Sequence, residues 1–282
     1  MSGIITVGNT RRNLVRPIVT VSGSRKEIAD GWVVVSGTRR RWWPVALYPS
    51  VYDSNLDFNL VSGNRDAEDS CILEDRYLYV LDYTDYKFYV YDLDNNYSRV
   101  TSKEFGISQS DVVDSCDYDD INNLIWVGLF YGGIKAYNPT TKTLVNSRYA
   151  FIGVRDVIIV ANSTLYVLNS SRTELSAYTI PTTNNPPTRN SNKDITIPTT
   201  GNDAVDNSQI DGGTYYQGII YLVNRDNDPE VYAFDEATGS RRSDLDFALD
   251  SENINPQGIS IRSNGTAYVV DNFDEKVYVY VP

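Results

Sequence analysis

The chain has 282 residues, with 25 Lys and Arg against 37 Asp and Glu, a net charge of −12 and no histidine. Without histidine there is no Ser-His-Asp or Cys-His catalysis, and most zinc sites are excluded, so chemistry would have to run on carboxylates, Lys, Tyr or an oxygen-ligated cation. No apolar run reaches the roughly 18–20 residues that span a bilayer, and Met1 precedes no secretory h-region, which predicts a soluble protein without signal peptide or membrane insertion.

Charge is divided unevenly. Residues 1–50 carry +6 and the remainder −18, a split that predicts different partners for the two parts. A 14-residue period runs through the leader, aligning Val7, Val21 and Val35, then Asn9, Gly23 and Gly37, then Arg11, Arg25 and Arg39. Each unit reads as a strand, a tight Gly or Asn turn and a returning basic strand, so residues 1–43 form an arm of three hairpins. Isolated hairpins are marginal in water, which requires the arm to pack on the rest of the chain, a second copy or another protein. In a docking role Arg11, Arg25, Arg39, Arg40 and Arg41 would meet acidic neighbours and Trp32, Trp42 and Trp43 would anchor the contact, since Arg and aromatic side chains dominate many interfaces. Basic and aromatic residues interleave only at Arg39–Trp43 and the acidic body repels phosphates, so no nucleic-acid partner is expected.

The units Ile18-Val19-Thr20-Val21-Ser22-Gly23-Ser24-Arg25-Lys26 and Trp32-Val33-Val34-Val35-Ser36-Gly37-Thr38-Arg39-Arg40 resemble short tandem repeats at the start of many tailed-bacteriophage structural proteins. That resemblance covers residues 4–43. It implies a virion component, assembled in the host cytoplasm in several copies, whose arm attaches it to other tail, baseplate or capsid proteins.

Residues 44–282 carry a five-fold repeat. Its first strands are anchored at Tyr79, Trp126, Tyr166, Tyr221 and Tyr268, with spacings of 47, 40, 55 and 47 residues, and each is followed by a second aromatic-rich strand. Periods of about 40–50 residues built from short strands are the mark of β-propeller blades. The expected fold is therefore an all-β, five-bladed β-propeller preceded by the hairpin arm. The chain ends too early to supply an outer strand to the fifth blade. Asn55–Leu60 closely resembles Asp244–Leu249, which fills the outer-strand slot of the fourth, so residues near 55–60 are expected to close the ring. Closure removes exposed strand edges. Asn122-Asn123, Asn162-Ser163 and Asn264-Gly265 fall where tight hairpins need positive φ, and Pro181–Asn192 reads as a loop insertion. Pro256–Asp271 followed by Lys276–Tyr280 is similar to an NHL-type propeller repeat, a resemblance that implies a binding scaffold more often than an enzyme.

Cys71 and Cys116 sit in matching Asp-Ser-Cys triplets and read as buried free thiols. Counting back ten residues from the anchors, or twelve in the second repeat, places Asp69, Asp114, Asp156 and Asp211 at the start of the innermost strands, around one channel mouth. Asp82, Asp85, Asp226, Asp228, Asp271, Asp274 and Glu275 lie in turns that open on that face. Two readings stay open: carboxylates that cap turns, or a site for Ca²⁺ or a basic ligand at Asp69, Asp114, Asp156 and Asp211, with Asp271 on the same face. The functions compatible with this layout are a non-enzymatic virion structural protein, a propeller that binds a host glycan or receptor, and a carboxylate-based glycosidase. Repeated equivalent Asp residues favour architecture over differentiated acid and base roles.

Overall fold

The structure is a computed structural model of the whole chain. It describes the backbone of six strands within residues 3–42, and residues 48–282 except 109–111, 131–132, 146–149, 152–156, 183–184, 202–203, 206–208 and 226–229, with backbone only at 150–151. Two compact units divide the chain, Met1–Leu47 and Tyr48–Pro282.

In the first unit, Gly3–Val7 pairs antiparallel with Thr10–Leu14, Ile18–Val21 with Ser24–Glu27, and Gly31–Val35 with Thr38–Trp42. The closing pairs are Val7 with Thr10, Val21 with Ser24 and Val35 with Thr38. The 14-residue period is thus a repeated hairpin register. The side chains of Arg11, Arg25, Arg39, Arg40, Arg41, Trp32 and Trp42, and all of Trp43, lie outside the described residues.

The second unit is a ring of five antiparallel blades. Their innermost strands are Ala67–Leu73, Val113–Asp119, Ile158–Ala161, Ile210–Tyr216 and Pro256–Ile261. Each is followed by a second and a third strand, in the first blade Tyr77–Asp82 and Lys87–Asp92, in the fifth Ala267–Asp271 and Lys276–Val281. Each innermost strand touches the next, and the fifth touches the first. Hairpin chemistry follows the sequence: Asn123, Asn162 and Gly265 adopt φ of 52°, 55° and 86°.

The ring closes where the sequence predicts. Val277 pairs with Phe58 and Lys276 with Asn59, while Tyr280 pairs with Tyr52 and Val281 with Val51. The outer strand is therefore split into two short contacts, and every blade repeats the device. Third-strand aromatics Tyr91, Tyr137, Tyr178, Phe234 and Tyr280 face Arg99, Leu144, Arg189, Arg241 and Tyr52. In each case the second contact, at Phe105, Ala150, Ile195, Phe247 or Phe58, follows six residues later.

In four of the blades a carboxylate at the end of that excursion bridges back to the first contact. Arg99 holds Glu104, Arg189 holds Asp194 and Arg241 holds Asp246, while Tyr52 donates to Asp57 at 2.5 Å. Asp194, Asp246 and Asp57 also accept the N–H of Ala177, Ala233 and Val279 on the third strand. Four carboxylates are used in this way, and their bonds at the strand interruption replace ladder bonds the excursion cannot make. The stretch read as a loop insertion, Pro181–Asn192, is partly structural: Thr188–Arg189 supplies the first outer contact of the third blade.

The core consists of five apolar clusters, one between each pair of neighbouring blades. Strand alternation sends one set of side chains into each adjoining interface. Trp126, Tyr166, Tyr221 and Tyr278 are fully buried there, each contributing about 1.5–3 kcal/mol or more by burial. Cys71 and Cys116 are both buried and free, as the sequence indicates, and burial pushes both thiols up.

Candidate functional site

The innermost strands define a channel with two mouths. At the end where they begin, the ladder slips: the register shifts between Leu81 and Asp82, between Val113 and Ser115, between Ile210 and Gly212, and between Pro256 and Gly258. The bulged residues are Glu68, Asp114, Asp211 and Gln257, and all four line one cavity of about 250 Å³ together with Phe130, Arg172 and Arg225. Bulges re-aim side chains, here toward the channel axis.

Here the structure corrects the sequence. Asp114 and Asp211 reach the mouth, but the equivalent position in the first blade is Glu68, not Asp69, and in the fifth it is Gln257. Hairpin turns differ in length between blades, so a count of ten back from the anchors lands one residue away, on Asp69 in the first blade and on Gly258 in the fifth. Asp156 lies outside the described residues, as do Asp226 and Asp228.

Asp69 is fully buried between blades. Its Oδ2 accepts Cys116 N–H at 2.9 Å and its Oδ1 accepts Ser70 N–H at 2.7 Å. Burial holds its carboxyl well above the usual range despite those two donors. The innermost strands of neighbouring blades share no ladder, and this side chain bridges two of them. Asp271 is also removed from the mouth, accepting N–H groups of Asn255, Phe273 and Asp274 as a turn cap. Asp82 does the same for Asp66 and Asp85, while Asp85 and Asp274 accept the hydroxyls of Tyr89 and Tyr278.

What remains at this mouth is a mixed-charge cluster. Arg225 Nε lies 2.7 Å from Asp211 Oδ2, and Arg172 Nη2 lies 3.3 Å from Asp211 Oδ1. Glu68 is pushed up to about 8 by burial first, then by Asp66, Asp114 and Asp211, with Arg225 opposing. Glu68, Arg172, Arg225 and Gln257 were missed by sequence reasoning. The signal that finds Glu68 and Gln257 is the ladder slip, which depends on pairing rather than on residue type. Among the described residues no group of three or more Cys, Asp or Glu is arranged to hold a metal ion. The expected Ca²⁺ set loses Asp69 to the blade interface.

At the opposite mouth a second cavity, of about 230 Å³, takes residues from all five blades. One collar position per blade contributes Ile72, Tyr118, Val160, Tyr215 and Ile261. Below them sit Asp117, Thr214 and Ser260, and Asp120 and Asn162 stand on the rim. Asp117 is 9 % exposed and accepts N–H from Val160 on the next blade and from Tyr118, both at 2.7 Å. Burial raises it to about 7, with Asp119 and Asp120 adding to the shift. Nothing in the sequence reading pointed here.

No protein-family model matches the chain, and no curated protein matches it. Among solved structures, a glutaminyl cyclase from Myxococcus xanthus is similar at 10 % identity and a TM-score of 0.57, covering 84 % of this chain and 94 % of that one. A chain of the mitotic checkpoint complex matches at 10 % identity and a TM-score of 0.49, covering 83 % and 93 %. The β-propeller domain of Cps50 (Swd1) from Myceliophteria thermophila matches at 9 % identity and 0.45, covering 77 % and 83 %. At such identities the first likeness speaks for the fold alone. The class is that of a five-bladed β-propeller.

Proposed function

We propose that the protein is a non-catalytic interaction scaffold, an acidic propeller carried into a multi-copy protein assembly by its basic hairpin arm. In its finer form the reading is a structural component of a tailed-phage virion. The observation that carries the scaffold reading is the use made of the carboxylates. Asp57, Asp69, Asp194, Asp246 and Asp271 all accept backbone N–H groups that hold blades or turns together. Acidity in this chain serves architecture first, and the opposite charge of residues 1–50 supplies a docking surface. The virion form rests on the repeats of residues 4–43 alone.

The test is proteomic. Particles purified from a producing host should contain the chain, and a full-length variant with Arg11→Glu, Arg25→Glu and Arg39→Glu should be depleted at least about tenfold. Absence of the wild-type chain from particles rejects the virion form. Undiminished incorporation of the variant rejects the arm as the dock.

One observation favours a second reading, a carboxylate-based glycosidase. Glu68, raised to about 8, shares a cavity with Asp211, which is ion-paired to two arginines. Glycoside hydrolysis requires a general acid beside a second carboxyl group. Turnover of a panel of aryl glycosides that disappears in Glu68→Gln would establish it, and no turnover at any pH between 4 and 9 would remove it.

A further inference from the structure

The second mouth has a chemistry that the scaffold reading leaves unused. Its collar is entirely apolar or aromatic, and the two tyrosine rings are fixed. Tyr118 Oη donates to Asn123 Oδ1 at 3.0 Å, and Tyr215 Oη accepts from Asn162 Nδ2 at 3.2 Å. Both rings also pack against the apolar clusters between blades. The groups below the collar can all accept: the buried Asp117 carboxylate and the hydroxyl oxygens of Thr214 and Ser260, the last already sharing a hydrogen bond with Ser70 Oγ at 2.8 Å. Among the described residues no Lys or Arg lines this cavity, and its carboxylic acids are Asp117 and Asp120.

These features select among ligands. An anion finds no cation to pair with. A hydrated metal ion would have to shed water against carbon, with one buried carboxylate to replace it. A sugar needs polar partners around its girth, where this collar offers aliphatic side chains and phenol rings. A guanidinium wants a free carboxylate edge for its planar fork, but both Asp117 oxygens already accept a backbone N–H. An ammonium is different. It is a compact charge with three rotatable donors, and it can use the remaining lone pairs of Asp117 together with Thr214 and Ser260. Its methylene stem is suited to an apolar collar, and the two rings add cation–π attraction as the charge passes them.

We propose that this mouth binds a primary alkylammonium group end-on, its stem within the collar of Ile72, Tyr118, Val160, Tyr215 and Ile261 and its charge on Asp117, the carrier being an exposed lysine of a protein partner. The identity of the carrier rests on the scaffold reading. The pocket chemistry does not.

The experiment uses the full chain and n-butylammonium, the lysine side-chain analogue, followed by amide chemical shifts in NMR. The expected result is saturable shifts at Tyr118, Val160 and Tyr215 in the millimolar range. Asp117→Asn should weaken binding at least about tenfold, the loss of a charge-assisted bond, and Tyr215→Ala about threefold. n-Butanol, with the same stem and no charge, should leave those amides unmoved. The proposal is overturned if n-butanol shifts them equally at the same concentration, if Asp117→Asn binds as well as wild type, or if about 0.1 M n-butylammonium moves none of them. Should Asp117→Asn fail to fold, the butanol control and Tyr215→Ala still decide. A negative result here leaves the scaffold reading standing, because that reading is judged on particle content.

Discussion

The two mouths of the channel are built four residues apart on the innermost strands of the four blades where both are described, yet their chemistry differs. One presents Glu68, Asp114, Asp211 and Gln257, the other Ile72, Tyr118, Val160, Tyr215 and Ile261. The difference originates in the ladder. Where the innermost strands begin, each described register shift leaves one residue unpaired, and its charged or amide side chain turns to the axis. Four residues later the pairing is regular, and the collar side chains also pack against the blade interfaces, so they are apolar or aromatic. A mouth ringed by charged and amide side chains and a mouth collared by aliphatic and phenolic ones accompany the presence and absence of a slip.

Just behind the slip the strands are crowded, and this gives the largest expected effect. A Cβ on Gly258 would stand 2.7 Å from the Cα of Asp69, and one on Gly212 would stand 2.6 Å from the Cα of Gly258. Both obstacles are backbone, so neither can rotate away. Gly258→Val should cost about 3 kcal/mol or more, read by denaturant unfolding. A loss under about 1 kcal/mol would mean that the blades are not closed this tightly at the polar end. Asp69→Ala, which leaves Cys116 N–H buried without its acceptor, should cost about 2 kcal/mol in the same assay.

The mouths should also differ in pH response. Glu68 binds its proton more tightly in the folded chain, at about 8 against an ordinary 4.5, because burial and neighbouring carboxylates penalise its charge. Between those values the folded state holds more protons than the unfolded state, so stability from this group is full below 4.5 and is lost as pH rises through 8. Asp117 behaves likewise over the window from 3.8 to about 7. Glu68→Gln should flatten the melting temperature between pH 7.5 and 9, above the value of about 7 at which Asp117 is half titrated. An unchanged slope there would place Glu68 in a more solvated setting.

Arg225→Gln should cost about 0.5–1 kcal/mol, since the arginine is about one-third exposed and solvent screens its pairing with Asp211. High salt should erase most of the difference. At the collared mouth Tyr215→Phe, which removes only the hydroxyl held by Asn162, should fall within about 0.5 kcal/mol of wild type. A larger effect there than at Arg225 would reverse the ranking of the two mouths.

Much of the architecture is legible in the chain by itself. The five anchors, the alternation of the strands, the likeness of Asn55–Leu60 to Asp244–Leu249 and the 14-residue hairpin period are local patterns. Local patterns set strand, turn and face by steric and hydrophobic rules that need no knowledge of distant residues. The site residues were readable only in part. Asp114 and Asp211 were found because acidic type coincided with position. Asp69 was misplaced because Asp69-Ser70-Cys71 and Asp114-Ser115-Cys116 look alike but sit one register step apart, Asp69 pairing with Leu81 and Ser115 with Gly128. The apolar collar left no trace, since Ile72 and Val160 differ in no way from other strand residues until five strands meet around an axis. What the tertiary structure decided was which atoms converge: hydrogen-bond register and ring closure bring together groups 189 residues apart, Glu68 with Gln257 at one mouth and Ile72 with Ile261 at the other, and no local pattern carries that information.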